Sequence, residues 1–310
     1  MLQPAALGKT GWKKRIKKQK ALQMMVLPGM AWMVIFSYIP MAFLIFAFFQ
    51  YDLAKPMTQA PFVGVTFFLE FLTDPRFWRV MQNTLGISFW KLAIGFPLPI
   101  LFALFLNEIR STRFKRSVQT ISYLPHFISW AIFGGILLSW LSERNLINQL
   151  LIGLGLQRGD IAYIAMPQYF WTISVVSEVW KELGWNAIIY IAAISAINPE
   201  LYQAADIDGS NRYQKMWHVT VQGIRPTIAV LFILAVAGLL GSNFDQVFVL
   251  KNTMNLRASE TIDLYVYNMG IVTGRFSYST AVSLARSLIS LTLLLTANYV
   301  TGKLTGDNML

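Results

Sequence analysis

Long apolar stretches, separated by short polar ones, dominate the chain. A helix needs about 20 mostly apolar residues to cross the hydrocarbon core of a bilayer. Six stretches meet that requirement, with soft ends at 24–50, 81–106, 118–141, 168–196, 226–248 and 281–302. The pattern predicts an all-α membrane protein with six transmembrane helices in one domain, 24–302. The first stretch follows a basic segment, as a signal peptide would. It is too long for an apolar signal core of about 7–15 residues and has no obvious small-residue cleavage site, so it reads as a span. The connecting segments are too short to form domains of their own.

Composition agrees with this pattern. Of 310 residues, 55% are hydrophobic and 13% charged, against about 45–50% and ~25% in soluble domains. Soluble, disordered and fibrous classes are disfavoured. The absence of cysteine removes disulfides, thiolate zinc sites, iron–sulfur clusters and a cysteine nucleophile. The two histidines, His126 and His218, are far apart in sequence and do not suggest a metal site.

Charge sets the direction of the spans. Lys and Arg total 26 against 15 Asp and Glu, a net +11. On a soluble fold this would suggest nucleic acid; here no nucleic-acid partner is expected. With a cytoplasmic N-terminus, the inner segments 1–23, 107–117, 197–225 and 303–310 hold 15 of the cations and the outer loops 8, with Lys91, Lys181 and Arg286 inside spans. Cytoplasmic segments carry the Lys/Arg excess, so both termini are expected inside. The expected layout is a basic arm at 1–23, the membrane domain at 24–302 and a tail at 303–310. The Lys13-Lys14-Arg15-Ile16-Lys17-Lys18 run fits an arm on anionic lipid, or simply a solvated anchor that fixes orientation.

Catalytic motifs are missing. A phosphate loop reads G-x-x-x-x-G-K-[ST]. Gly8-Lys9-Thr10 supplies its end, but position 3 is Gln, and Gly302-Lys303 is followed by Leu304. Gly153-Leu154-Gly155 lacks the third glycine of a dinucleotide motif, having Arg158 there. Neither H-E-x-x-H nor G-x-S-x-G occurs. No catalytic residue, metal site or cofactor is predicted on this chain, and it does not read as an enzyme.

The most informative segment is 198–217. Asn198 is a good N-cap, Pro199 suits the first helical position, and Glu200 suits the positive helix end. Leu201, Ala204, Ala205 and Asp208 then share a face. The two alanines leave that face low in relief, so another surface can sit close. Gly209 can take φ > 0 and end the helix. Ser210 can cap a second helix running through Arg212, Lys215 and Trp217 towards Pro226. Spacing alone also fits an ordinary capped connector.

This segment resembles the coupling loop in permease subunits of binding-protein-dependent ABC importers. The family motif reads Glu-Ala-Ala, three residues, Gly, about nine residues, then Ile-x-Leu-Pro. Here it stands as Gln203-Ala204-Ala205-Asp206-Ile207-Asp208-Gly209 and Val219-Thr220-Val221-Gln222. Gln203 replaces the Glu that helps dock the ATPase, and Gln222 replaces the Pro. Further segments are similar to the polysaccharide-type branch: Phe36-Ser37-Tyr38-Ile39-Pro40, Asn83-Thr84, Phe96-Pro97-Leu98-Pro99-Ile100, Leu106-Asn107-Glu108, Ser122-Tyr123-Leu124-Pro125-His126-Phe127, Trp180-Lys181-Glu182-Leu183-Gly184-Trp185 and Thr261-Ile262-Asp263-Leu264-Tyr265-Val266-Tyr267. That branch is similar to maltose-importer permeases but takes larger or acidic oligosaccharides, alginate and pectin fragments among them.

The resemblance implies a MetI-like type I importer fold in the bacterial inner membrane. It implies a second, related permease subunit, two ATPase subunits that bind ATP and Mg, and an extracytoplasmic binding protein that delivers oligosaccharide. It places Tyr202, Gln203, Ala204, Ala205, Asp208, Gly209, Ser210 and Arg212 at the ATPase. Pro28, Pro40, Pro97, Pro99 and Pro125 break spans, which suits helices that repack during alternating access.

Ionisable residues within spans are costly and face a cavity or a partner. Glu178, Lys181, Glu182 and Trp185 recur at i, i+3, i+4, i+7 on one helix face. They can bind hydroxyls and stack on a sugar ring, or Glu178 and Lys181 can pair and only pack the bundle. Asn243, Asp245 and Gln246 can line the outer pathway or meet the binding protein. Lys91 and Arg286 can attract acidic sugars or neutralise carboxylates in the bundle, the reading preferred here. Phe62, Phe67, Phe68, Phe71, Phe77 and Trp78 in the outer loop can dock the binding protein or pack as a lid. Rival functions are an ABC permease for another solute such as a polyamine or phosphate compound, an ion-coupled secondary carrier, and a membrane enzyme acting on lipid-linked sugar. The last is weak, because Glu178 and Glu182 lie on one side of any substrate whereas glycosidic chemistry needs carboxylates flanking the bond.

Overall fold

The computed structural model describes residues 19–305, except Leu53, Arg144 and Ser242. The 13–18 basic run, most of the predicted 1–23 arm and the end of the predicted tail lie outside the described residues. The described residues are almost entirely helical, with one isolated antiparallel bridge between Phe49 and Phe62.

Helix α1 spans Lys20–Phe48. It widens to a π turn at Val34–Tyr38, just before Pro40, and tightens to a 3-10 turn at Phe43–Phe48. Proline lacks an N–H and its ring crowds the carbonyl four residues back, so the ladder is distorted there without being cut. Only 6% of the most apolar part of α1 is buried; its last turn alone contributes a core residue, Ala47.

Helix α2, Thr66–Thr73, precedes α3, Pro75–Gly95, which continues as α4, Pro97–Glu108. Asp74 caps α3, its Oδ1 accepting from Arg76 N at 2.8 Å, with Pro75 at the first position. The helix therefore begins before the expected residue 81. Arg76 and Arg79 disguised its first turns as loop.

The expected span 118–141 is not one continuous helix. Helix α5, Thr112–Tyr123, and α6, Trp130–Leu141, belong to a pair bent by 97°. Pro125 sits in a 3-10 turn over Leu124–Phe127, and Ser129 starts a new helix by accepting from Ile132 N. Helix α7, Leu146–Gly153, follows, capped by Asn145.

Helix α8, Pro167–Ser195, is the central mast and packs against α3, α4 and α5. Gly184 makes the α5 contact possible: a Cβ there would lie 2.2 Å from the Ser122 carbonyl oxygen. Two short helices come next, α9 (Pro199–Ile207) and α10 (Arg212–Lys215), the second running through a π turn at Met216–Val221.

The expected span 226–248 is also interrupted. Helix α11, Arg225–Ala237, stops before Gly238, and Asn243 caps a separate helix α12, Phe244–Leu250. Two glycines and a capping amide within six residues end one helix and start another. Helices α13 (Leu256–Ser259) and α14 (Ile262–Tyr267) lead to α15, Phe276–Thr305.

Among the described residues, three helices are long and apolar enough to cross a membrane: 20–48, 75–108 and 276–303. The number rises to five if the bent pairs 112–127 with 130–153 and 212–221 with 225–237 each count as one span. Helix α8 is long enough but carries Glu178, Lys181 and Glu182 near its middle.

Three buried clusters hold the bundle. One joins Ile87, Trp130, Phe170, Val247 and Leu264; a second joins Phe71, Phe77, Ile262, Tyr265 and Tyr278; a third joins Leu104, Ala187, Tyr190 and Ile224. The outer-loop aromatics divide accordingly. Phe71 and Phe77 are core residues, Phe67 and Phe68 pack against them, and Phe62 and Trp78 are exposed.

Candidate functional site

Helix α8 carries two carboxylates into a cavity of about 310 Å³ between α3, α4, α8 and α11. Ser88, Lys91, Glu178, Glu182, Asn186 and Tyr190 supply its polar lining, and α4 and α11 supply apolar wall.

Four residues singled out from distant parts of the sequence meet here. Lys91 Nζ donates to Glu178 Oε2 at 2.8 Å and to Gln246 Oε1 at 2.7 Å. Asn243 Nδ2 donates to the same Glu178 oxygen at 3.2 Å. Gln246, fully buried, gives its amide hydrogens to Ser174 O at 2.7 Å and Ser177 Oγ at 2.9 Å. The network joins α3, α8 and α12. It keeps a low-dielectric ion pair hydrogen-bonded on both sides, the condition for tolerating buried charge.

One turn further along α8 lies a second cluster. Glu182 Oε2 meets His126 Nδ1 at 2.7 Å. Lys181 Nζ donates to Glu182 Oε1 at 3.2 Å and to the His126 carbonyl at 2.7 Å, over the Trp130 ring. Trp185 stacks on the His126 imidazole at 4.1 Å with planes 2° apart.

The expected single face is thus divided. Glu178 and Glu182 line the cavity, whereas Lys181 turns into the bundle and is 4% exposed. The expected Glu178–Lys181 pair along the helix does not form. Glu178 takes its cation from α3, and Glu182 takes His126 from the α5–α6 bend. Sequence reasoning missed His126. Its position beside Pro125, at a helix break facing a charged helix, was the available signal.

Arg286 on α15 pairs with Asp263 on α14, beside the α11–α12 break, where a Cβ on Gly241 would lie 3.6 Å from the guanidinium. Asp245 is exposed in the first turn of α12 and takes no part in the network.

The other site is the hairpin of α9 and α10. Asn198 Oδ1 accepts from Glu200 N at 3.0 Å, with Pro199 at the first position. At the far end Gly209 has φ of 73°. Ser210 N reaches Ala205 O at 2.9 Å and Gly209 N reaches Asp206 O at 3.1 Å, the paired bonds of a Schellman ending. Ser210 is not the cap of the second helix. Asn211 is: it accepts from Tyr213 N and Gln214 N at 3.0 Å, and Gln214 Oε1 accepts from Asn211 N at 2.7 Å, a complete capping box.

Cross-ties make the hairpin one body. Lys215 pairs with Asp206 at 2.6 Å, Tyr202 OH meets Thr220 Oγ1 at 2.9 Å, and Arg212 pairs with Glu108 at the end of α4 at 3.2 Å. Gln203, Ala204 and Asp208 are exposed and Ala205 half-buried. Leu201, Ile207, Tyr213 and Trp217 leave an apolar surface open around them, Ile207 at 88% exposure. Such a patch on a rigid element marks an interaction site.

Comparison with known proteins gives a consistent result. Residues 95–305 match the family model described as "Binding-protein-dependent transport system inner membrane component". The polygalacturonan/rhamnogalacturonan transport system permease protein YteP of Bacillus subtilis (strain 168) is 38% identical over 93% of this chain and 90% of its own length. Protein LplB of the same organism is 36% identical over 94% and 92%. The crystal structure of a bacterial alginate ABC transporter in complex with alginate pentasaccharide-bound periplasmic protein contains a chain that superposes with a TM-score of 0.88 at 35% identity, covering 96% of this chain and 99% of that one. A chain of a bacterial ABC transporter involved in the import of the acidic polysaccharide alginate gives 0.86 at 35% identity, covering 94% and 98%.

Proposed function

Since the chain belongs to the binding-protein-dependent transport system inner membrane component family, we propose that it is one of two permease subunits of an ATP-driven oligosaccharide importer. In this reading it forms half of a translocation pathway through the inner membrane, with six spans and both termini in the cytoplasm. Helix α8 is the fourth span; its charged face is tolerated because it meets cavity and partners rather than lipid.

One observation carries the reading. A single helix places Glu178 and Glu182 in the 310 Å³ cavity and runs, three residues after Ser195, into the cross-tied hairpin. A 29-residue helix is about 43 Å long, long enough to connect a mid-membrane site to the cytoplasmic face. Force applied by an ATPase at Tyr202, Gln203, Ala204, Ala205, Asp208 and Gly209 reaches the cavity through that mast. The ties of Lys215 to Asp206 and of Tyr202 to Thr220 make the hairpin move as one piece, and Arg212 ties that piece to α4. Gln203 offers a neutral amide where a carboxylate would give an ionic contact. ATP and Mg belong to the two ATPase subunits.

The substrate proposed is an oligosaccharide, with uronate-containing polymers the favoured class. The names of YteP and of the alginate transporters support this. The cavity offers the Lys91–Glu178 ion pair, a second carboxylate, an amide, a hydroxyl and a phenol, which suit a hydroxyl-rich solute. A second permease, two ATPases and an extracytoplasmic binding protein complete the assembly.

The test is uptake by the assembled transporter reconstituted in liposomes, with ATP inside and binding protein outside. ATP-dependent accumulation of an oligosaccharide is the expected result. Accumulation by this chain alone, driven by an ion gradient, would make it a secondary carrier instead.

A further inference from the structure

A second and larger hollow opens on the flank of the bundle, at the end of α8 opposite the hairpin. It measures about 920 Å³, at the upper end of the roughly 300–1,000 Å³ usual for small-molecule sites. Its walls carry three indoles, Trp78, Trp90 and Trp171, and two guanidinium groups, Arg79 and Arg257. None of these five was singled out as a pathway residue by the sequence.

The hollow is built by specific contacts. A Cβ on Gly86 would sit 2.3 Å from the Trp171 ring, so glycine alone lets that indole lie against α3. Trp171 Nε1 donates to Ala258 O at 3.3 Å. Asn83, 5% exposed, donates to Arg257 O at 3.0 Å and Glu260 O at 3.1 Å. These bonds pin the α13 turn that presents Arg257. Trp78 Nε1 donates to Leu72 O at 2.8 Å. With their N–H groups held by backbone, Trp78 and Trp171 offer the hollow apolar ring surface rather than donors.

The two cations differ from their neighbours. Arg76 pairs with Glu260, Arg275 with Glu70 and Arg286 with Asp263. Among the described residues, no carboxylate lies within ion-pair distance of Arg79 or Arg257. Indole faces stack on the C–H surfaces of sugar rings, and a guanidinium fork matches a carboxylate in two-point geometry. Together they suit sugar rings that carry carboxylates. A belt of tryptophans facing lipid headgroups needs neither the Gly86 notch nor the Asn83 clamp.

We propose that this hollow is a subsite for uronate oligosaccharides, with Arg79 and Arg257 binding the carboxylates of rings that stack on the indoles. The proposal rests on the oligosaccharide-import reading and adds to it a location and the residues that read the substrate's charge. Its test is equilibrium binding of trigalacturonate to the assembled transporter in lipid nanodiscs without binding protein, set beside its uncharged methyl ester. The Arg79→Gln/Arg257→Gln double variant is expected to weaken trigalacturonate binding at least tenfold and leave the ester unchanged. Arg79→Lys/Arg257→Lys is expected to recover part of the loss. Equal binding by wild type and the glutamine variant, or equal loss for both sugars, overturns the subsite even where trigalacturonate is imported. Failure of the wild-type transporter to import either form overturns the import reading beneath it.

Discussion

The Lys91–Glu178 pair shows how one side chain depends on its partners. Each group is mostly shielded, with side-chain exposures of 14% and 24%. Removing one partner leaves a charge without compensation, a loss of about 3–5 kcal/mol where such pairs are buried. Lys91→Met is therefore expected to lower the melting temperature of the purified assembly. Lys91→Met/Glu178→Leu is expected to recover most of that loss, because no orphan charge remains. A double variant less stable than the single would show that the pair acts independently of charge balance. Glu182 and Trp185 answer a different question. Glu182→Ala or Trp185→Ala is expected to change the ranking of transported sugars while assembly with the ATPase persists. Unchanged uptake of every sugar tested would assign His126, Glu182 and Trp185 to bundle packing.

The hairpin of α9 and α10 is the element whose local chemistry is most complete. Its first helix has a cap, a proline at the first position and a Schellman ending; its second has a capping box. Gly209→Pro cannot adopt the φ of 73° found there. It is expected to cut ATP-dependent uptake more than tenfold while the bundle stays folded, as is Ala205→Glu at the low-relief face. Normal uptake in both would remove the hairpin from coupling. Asn211→Ala deletes one side of the capping box, a loss of about 1 kcal/mol. It should speed amide exchange at Tyr213 and Gln214 selectively, read by hydrogen–deuterium exchange. Exchange unchanged at those amides would mean that the ties to Asp206 and Glu108 hold the helix without its cap.

At the scale of the whole molecule, the bundle is incomplete by itself. α1 buries little of its apolar surface, and exposed leucine, phenylalanine and tryptophan side chains cover much of the outside. In water this surface would aggregate; in a membrane it meets lipid or another subunit. The cavity beside Glu178 and Glu182 has the same character. Its lining comes from α3, α4, α8 and α11, and a pathway shared between two permeases would place further side chains opposite them.

The membrane class, the apolar stretches and the chemistry of the 198–217 segment were legible in the sequence because each is local. Hydropathy sums over neighbours, and N-caps, prolines and a positive-φ glycine act within one helical turn. Helix breaks were less legible. Residues 118–141 and 226–248 are apolar on average, so hydropathy summed over a window could not reveal a bend after Pro125 or a stop at Gly238. The error at Ser210 was of the same kind, since Ser210 and Asn211 are both good caps and backbone geometry chose between them. Partnership was not legible at all. Spacing along α8 suggested that Glu178 would meet Lys181, but the fold offered Glu178 a lysine 87 residues away and turned Lys181 towards His126. A helix fixes which residues share its face. Only the packing of α3, α5 and α12 against that face decides which charges find one another, and which two arginines are left facing an open hollow.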